Sequence, residues 1–192
     1  MTLLQVMPDD QAENVLLRTT DEQSIATALQ AHGVDFSRWE LALDPGANAT
    51  NETILQAYAP KIDELRARGN YRLVDVARLR PDDADPGWAG RAAEARSTFL
   101  DEHRHTEDEV RFFAAGRGCF YLHVDARVLA VVCEAGDLLS VPAGTLHWFD
   151  MGSRPDFVAV RFFQEDDGWI GDFTGKAISS SFPTLDSLVV MP

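Results

Sequence analysis

The chain is poor in cysteine, in positive charge and in long apolar runs. Only two of its 192 residues are cysteines. Cys119 in GCFYL and Cys133 in LAVVCEAG form no CxxC pair, which excludes thiolate metal sites and dithiol redox motifs. Both read as small buried hydrophobes of a reduced protein. Against 31 Asp and Glu stand 17 Lys and Arg, a formal charge of −14 with the five histidines neutral. A phosphate backbone or an anionic bilayer surface is bound through a basic patch, so the acidic balance argues against nucleic-acid and membrane partners. No run approaches the roughly 18 apolar residues of a spanning helix. The opening MTLLQVMPDDQAE lacks the basic start and apolar core of a signal peptide, so the expected location is the cytoplasm.

What is present is an ordinary globular composition, 45% hydrophobic and 25% charged, in a chain long enough to bury roughly 70% of its unfolded surface as a single domain. Residues 1–95 read as mostly helical. Thr19-Thr20-Asp21-Glu22 is suited to a helix start, Ile25, Ala28 and Leu29 follow at helical spacing, and Gly33 supplies the stop. A second helix is predicted from about Thr50 to Arg68, with Ile54, Leu55, Tyr58, Ile62 and Leu65 on one face and a kink at Pro60. Phe36, Trp39, Leu41 and Leu43 alternate as in a strand, and residues 82–87 form a polar surface loop. Over 96–165, short apolar runs alternate with turn signals at Gly116-Arg117-Gly118, Asp125-Ala126-Arg127, Ala135-Gly136-Asp137 and Pro142-Ala143-Gly144. Strands at intervals of about ten residues indicate an antiparallel sandwich or barrel. The tail, 166–192, is mixed and is expected to pack back over it.

Three of the five histidines fall in one pattern. His103 and His105 are two apart and so project to the same side of a strand. Glu109 follows after a short turn, and His147 arrives from a later strand. Three imidazoles and a carboxylate make a mixed N/O site for a divalent first-row metal, and octahedral geometry leaves two positions for a chelating substrate. His32 and His123 lack such company and read as ordinary hydrogen-bonded residues.

The strings EHRHTEDEVR and PAGTLH resemble the two cupin motifs. With the GxGxF pattern at Gly116 and Gly118, PAGTLHWFDMG and FVAVRFFQEDDGW, the chain resembles the acireductone dioxygenases of methionine salvage more closely than cupins at large. The resemblance implies a mainly β fold, a cupin jelly-roll barrel flanked by helices from the N-terminal half, with 1–192 as one cupin domain. It implies that His103, His105, Glu109 and His147 bind one Fe²⁺ or Ni²⁺ per monomer. The implied reaction is cleavage of 1,2-dihydroxy-3-keto-5-methylthiopentene by O₂. Fe²⁺ gives 4-methylthio-2-oxobutanoate and formate, and Ni²⁺ gives 3-methylthiopropanoate, formate and carbon monoxide. Strand alternation turns Arg111 into the same interior as Glu109, where it either donates to the substrate or pairs with an acid. Arg161, inside an apolar run, is either paired or functional. The resemblance associates Phe99, Phe149 and Trp169 with the substrate pocket, although aromatics in a small barrel also serve as core. Glu102 and Asp108 either hold the imidazole tautomers or face water. Competing readings are another cupin metalloenzyme, or a non-catalytic cupin that binds metal or a small molecule. Neither a basic phosphate cluster nor a basic recognition helix is visible to support a sugar-phosphate isomerase or a DNA-binding regulator.

Overall fold

A computed structural model of the chain describes residues 1–46, 49–165 and 170–190. The N-terminal half supplies β1 (Leu3–Pro8), β2 (Leu17–Thr19), α1 (Glu22–Gln30), β3 (Asp35–Arg38), α2 (Asn51–Ala57), α3 (Ala59–Gly69), β4 (Leu73–Leu79) and α4 (Trp88–Phe99). The C-terminal half supplies β5 (His103–Arg104), β6 (Glu109–Val124), β7 (Arg127–Glu134), β8 (Asp137–Val141), β9 (Leu146–Asp150), β10 (Phe157–Phe163), β11 (Asp172–Phe173) and α5 (Leu185–Val190).

Local chemistry accounts for the helices. Asp21 accepts the Ser24 amide at the start of α1, and Gly33 beyond its end holds φ +74°. Thr50 caps α2 through the Thr53 amide. The single kinked helix expected over 50–68 is instead two helices separated at Tyr58. Pro60 falls in the first turn of α3, where the missing amide hydrogen is harmless, so the chain restarts there and does not bend. The strand expected over 36–43 ends at Arg38, because only Asp35–Arg38 finds a partner, in β8. Trp39 leaves the sheet to stack on Phe112, with ring centroids 4.6 Å apart. The N-terminal half is less helical than expected. Its four strands extend both sheets, with β1 pairing β7 and β4 pairing β10.

The fold is mainly β, with helices against the sheets. One sheet runs β11-β5-β9-β6-β7-β1-β2. The other runs β4-β10-β6-β8-β3, and all pairings are antiparallel. Strand β6 belongs to both. Its first half pairs with β8 and β10, and its second half pairs with β7 and β9. The expected barrel is therefore two facing sheets joined through β6, without hydrogen-bonded closure among the described residues. Phe113, Phe120, Leu122, Leu139, Phe149 and Phe157 fill the space between them, each fully buried large side chain contributing about 1.5–3 kcal/mol.

The Gly116-Arg117-Gly118 turn is the clearest departure from expectation. It is no turn but a bend within a continuous 16-residue strand. Gly116 has φ +68°, and a Cβ there would stand 1.8 Å from the Asp156 carbonyl oxygen. The register of β10 against β6 shifts at the neighbouring Val158/Ala159 step. That bulge lets one strand leave one sheet and enter the other. A Cβ on Gly118 would sit 2.3 Å from the Phe149 ring, so the bend also makes room for an interior aromatic.

Candidate metal centre

The centre lies at one end of the space between the sheets. β5 carries His103, with His105 just beyond it; Glu109 is the first residue of β6, and His147 is on β9. His103 pairs directly across from His147. The imidazole centroids are 4.5–5.1 Å apart. One donor atom from each of the four side chains falls within 4.8 Å of every other. Two metal–ligand bonds of about 2.1 Å span roughly 4.2 Å, so the cluster is within about 0.6 Å of coordination distance. All four side chains are buried, from 2% exposed for His147 to 8% for His105.

Each ring presents the same nitrogen to the centre. Nδ1 of His103 meets the Asp101 carbonyl at 2.7 Å, Nδ1 of His147 meets the Thr145 carbonyl at 2.8 Å, and Nδ1 of His105 meets the Ile170 carbonyl at 2.9 Å. A carbonyl only accepts, so Nδ1 carries the proton in each case and the Nε2 lone pair is left for a ligand. His147 Nε2 is 2.6 Å from Glu109 Oε2, a separation at which two buried basic atoms must share a cation, a proton in the metal-free protein or a metal ion bound to both. The donor set therefore fits a single divalent ion.

Charge in the metal-free site follows from the same contacts. Burial pushes the Glu109 carboxyl up, but the Arg111 charge, the His147 ring and the hydrogen bond that His105 donates once its Nε2 is also protonated together hold it well below the usual carboxylate range. Burial lowers His103. Burial also opposes protonation of His105, but the Glu109 carboxylate and the Ile170 carbonyl outweigh it and raise His105 above its ordinary value. Metal requires neutral imidazole. Affinity for Ni²⁺ is accordingly expected to be flat above the raised His105 value and to weaken about tenfold per pH unit below it, more steeply once His103 also protonates. Titration calorimetry across this range checks the sign: affinity that strengthens as pH falls would contradict it.

Arg111 is 5% exposed, with Nη2 at 2.7 Å from Glu109 Oε1. Its guanidinium lies over Phe149 at 4.6 Å and Phe120 at 5.2 Å. Arg161 stands across from Arg111 in the β10–β6 register. It forms a two-pronged ion pair with Asp75, at 2.8 and 2.6 Å, which neutralises its charge inside the apolar run. Asp75 was legible by the same logic, as a lone carboxylate in LVDVARL opposite the lone arginine in FVAVRFF. Phe149 is buried between Phe120 and Phe157. Phe99 ends α4 and packs on the interior cluster. Trp169 lies outside the described residues.

Glu102 and Asp108 do not set the tautomers, because backbone carbonyls already occupy all three Nδ1 positions. Glu102 is wholly buried and bonds His123 and Thr174. Asp108 accepts the Ala143 amide and so ties the two motif loops together. Neighbouring Glu107 accepts the Gln164 and Glu165 amides and anchors the end of β10. His123 bridges Glu102 and Asp9, and His32 pairs with Asp125. The three orienting carbonyls had no signal in the sequence, since any residue type supplies one.

The ARD/ARD' family model matches residues 3–171. "Acireductone dioxygenase 2" of Nocardia farcinica is 65% identical over 192 residues, all of both chains. "Acireductone dioxygenase 1" of the same organism is 58% identical over 98% of this chain and 100% of its own. Among solved structures, "Acireductone dioxygenase from Bacillus anthracis with cadmium ion in active center" matches with a TM-score of 0.75 and 27% identity, covering 90% of this chain and 98% of that one. A buried three-histidine, one-glutamate centre in a two-sheet cupin fold thus occurs in a sequence that matches one family nearly end to end, and the chain belongs to the acireductone dioxygenase (ARD/ARD') family.

Proposed function

We propose that the protein is a metal-dependent acireductone dioxygenase. With Fe²⁺ it converts 1,2-dihydroxy-3-keto-5-methylthiopentene and O₂ to 4-methylthio-2-oxobutanoate and formate. With Ni²⁺ the products are 3-methylthiopropanoate, formate and carbon monoxide. The observation that carries this reading is the convergence of four metal donors, each imidazole with its Nε2 turned inward, in a chain of this family.

His103, His105, Glu109 and His147 hold one ion per chain. When bound, that ion supplies Lewis acidity and a template that stabilises the enediolate. Arg111 keeps Glu109 ionised and adds a fixed positive charge beside the substrate, while Phe149 and Phe120 hold the guanidinium in place. The substrate dianion meets a protein of charge −14, but a Debye length of about 8 Å confines that repulsion to short range. Capture therefore depends on local charge at the centre. Arg161, already matched by Asp75, shapes the interior beside Arg111 and contributes little net charge. The family resemblance assigns Phe99, Phe149 and Trp169 to the substrate pocket. All four donors come from one chain, so each chain carries a complete centre, and the reading takes 1–192 as a single domain acting as a monomer. The two free, buried cysteines support a cytoplasmic location.

Stripping the protein of metal and reconstituting it separately with Fe²⁺ and Ni²⁺ tests the reading. Acireductone and O₂ consumption should return with either ion, with carbon monoxide formed only in the Ni²⁺ protein. Consumption no faster than the non-enzymatic background with both ions would sink it.

A further inference from the structure

The three ligand imidazoles are not oriented in the same way. His103 and His147 each take their carbonyl from two residues earlier in their own segments, Asp101 and Thr145. His105 takes its carbonyl from Ile170, 65 residues away. The orientation of the third ligand therefore depends on where the tail is docked.

The docking has little intrinsic strength. β11 has only two residues, both exposed, at the edge of its sheet, and Ile170 is 71% exposed. Phe173 lies against the His103 ring with centroids 5.2 Å apart but is itself half exposed. Asp172 pairs with Arg104 at the surface, where such pairs contribute about 0–1 kcal/mol. The exception is Thr174. Its amide donates to the Glu102 carbonyl at 3.0 Å, and its hydroxyl donates to Glu102 Oε2 at 2.9 Å. Glu102 is fully buried, and its other oxygen meets His123 Nδ1 at 2.5 Å, while His123 Nε2 reaches Asp9 at 3.2 Å. A buried carboxylate is tolerated only when its oxygens have partners. Glu102 thus needs the Thr174 hydroxyl, and that need pulls the tail onto β5.

We propose that Thr174, with Glu102 and His123 behind it, is a positioning latch that sets the third metal ligand: it docks residues 170–174 so that the Ile170 carbonyl holds His105 with Nε2 toward the ion. Thr174 touches no donor atom of the centre and acts only through the backbone it anchors. The latch rests on the metal reading of the four donors and is independent of the substrate.

The test compares Thr174→Val, Thr174→Ser and the unaltered protein, each loaded with Ni²⁺ and challenged with excess chelator. Thr174→Val, which keeps the shape and loses the donor, is expected to release Ni²⁺ about tenfold faster or more, in keeping with the 10–100-fold effects of residues that support metal ligands. Thr174→Ser, which keeps the hydroxyl, should release it at the unaltered rate. In the metal-free proteins, ¹⁵N shifts of the His105 ring should show one dominant tautomer in the unaltered and Ser forms and a tautomer mixture in the Val form. Equal release from Thr174→Val and the unaltered protein would overturn the latch, as would equally fast release from Val and Ser. Failure of the unaltered protein to bind Ni²⁺ would instead overturn the metal reading on which the latch rests.

Discussion

Replacing Glu109 by glutamine is expected to leave less than about a tenth of the normal metal content after purification and to reduce turnover to background. Removing or unsupporting a ligand costs 10–100-fold or more in affinity. Among the described residues Glu109 is the one anionic donor of the centre. Its Oε2 faces His147 at 2.6 Å and His105 at 3.4 Å, and its Oε1 neutralises Arg111 at 2.7 Å. A neutral amide also breaks the buried ion pair with Arg111, which costs about 3–5 kcal/mol. The metal-free variant should therefore unfold at a clearly lower temperature than the metal-free unaltered protein. Metal analysis and thermal unfolding of the two preparations check both parts, and normal metal content in Glu109→Gln would remove it from the ligand set.

Replacing Arg111 by alanine should lower kcat/KM by about 10²–10³-fold at saturating metal, the scale of losing one fixed charge aimed at developing negative charge. From the sequence, Arg111 either donates to the substrate or pairs with an acid. The acid it pairs with is Glu109 itself, at 2.7 Å. Without the guanidinium, the carboxylate loses the charge that most opposes its desolvation, so metal affinity should also weaken. Arg111→Lys keeps the charge but not the planar group that lies over Phe120 and Phe149, and an intermediate loss is expected. Steady-state kinetics at increasing metal concentration separate the two effects. Full turnover in metal-saturated Arg111→Ala would exclude Arg111 from the mechanism.

Both expectations rest on chemistry legible in the order of the residues. The spacing of His103, His105 and Glu109 follows from strand alternation and a short turn, and the interior direction of Arg111 follows from its place two residues beyond Glu109. The elements that depart from the sequence reading share a physical cause. β6 looks like two strands because Gly116 and Gly118 are turn residues by composition. In the folded chain, however, a positive φ and the close approach of Asp156 convert the expected turn into a bend. β1, β3 and β4 are short or irregular and depend on partners more than seventy residues away, such as Leu4 opposite Val131 and Val76 opposite Val160, and β2 depends in turn on β1. Pairing at that separation leaves no local period to read.

By itself, the sequence determined the kinds of donor atom, their grouping on neighbouring strands, and the acidic exterior that leaves capture to charges at the centre. These are properties of side chains, and side-chain identity together with a period of two carries them. Only the tertiary structure decided which nitrogen each histidine presents, that Arg161 is matched by Asp75, and that Glu102 holds the tail and not a ligand. These depend on backbone carbonyls and on carboxylates distant in the chain. A carbonyl is common to every residue, so its role appears only when folding places it against one ring nitrogen.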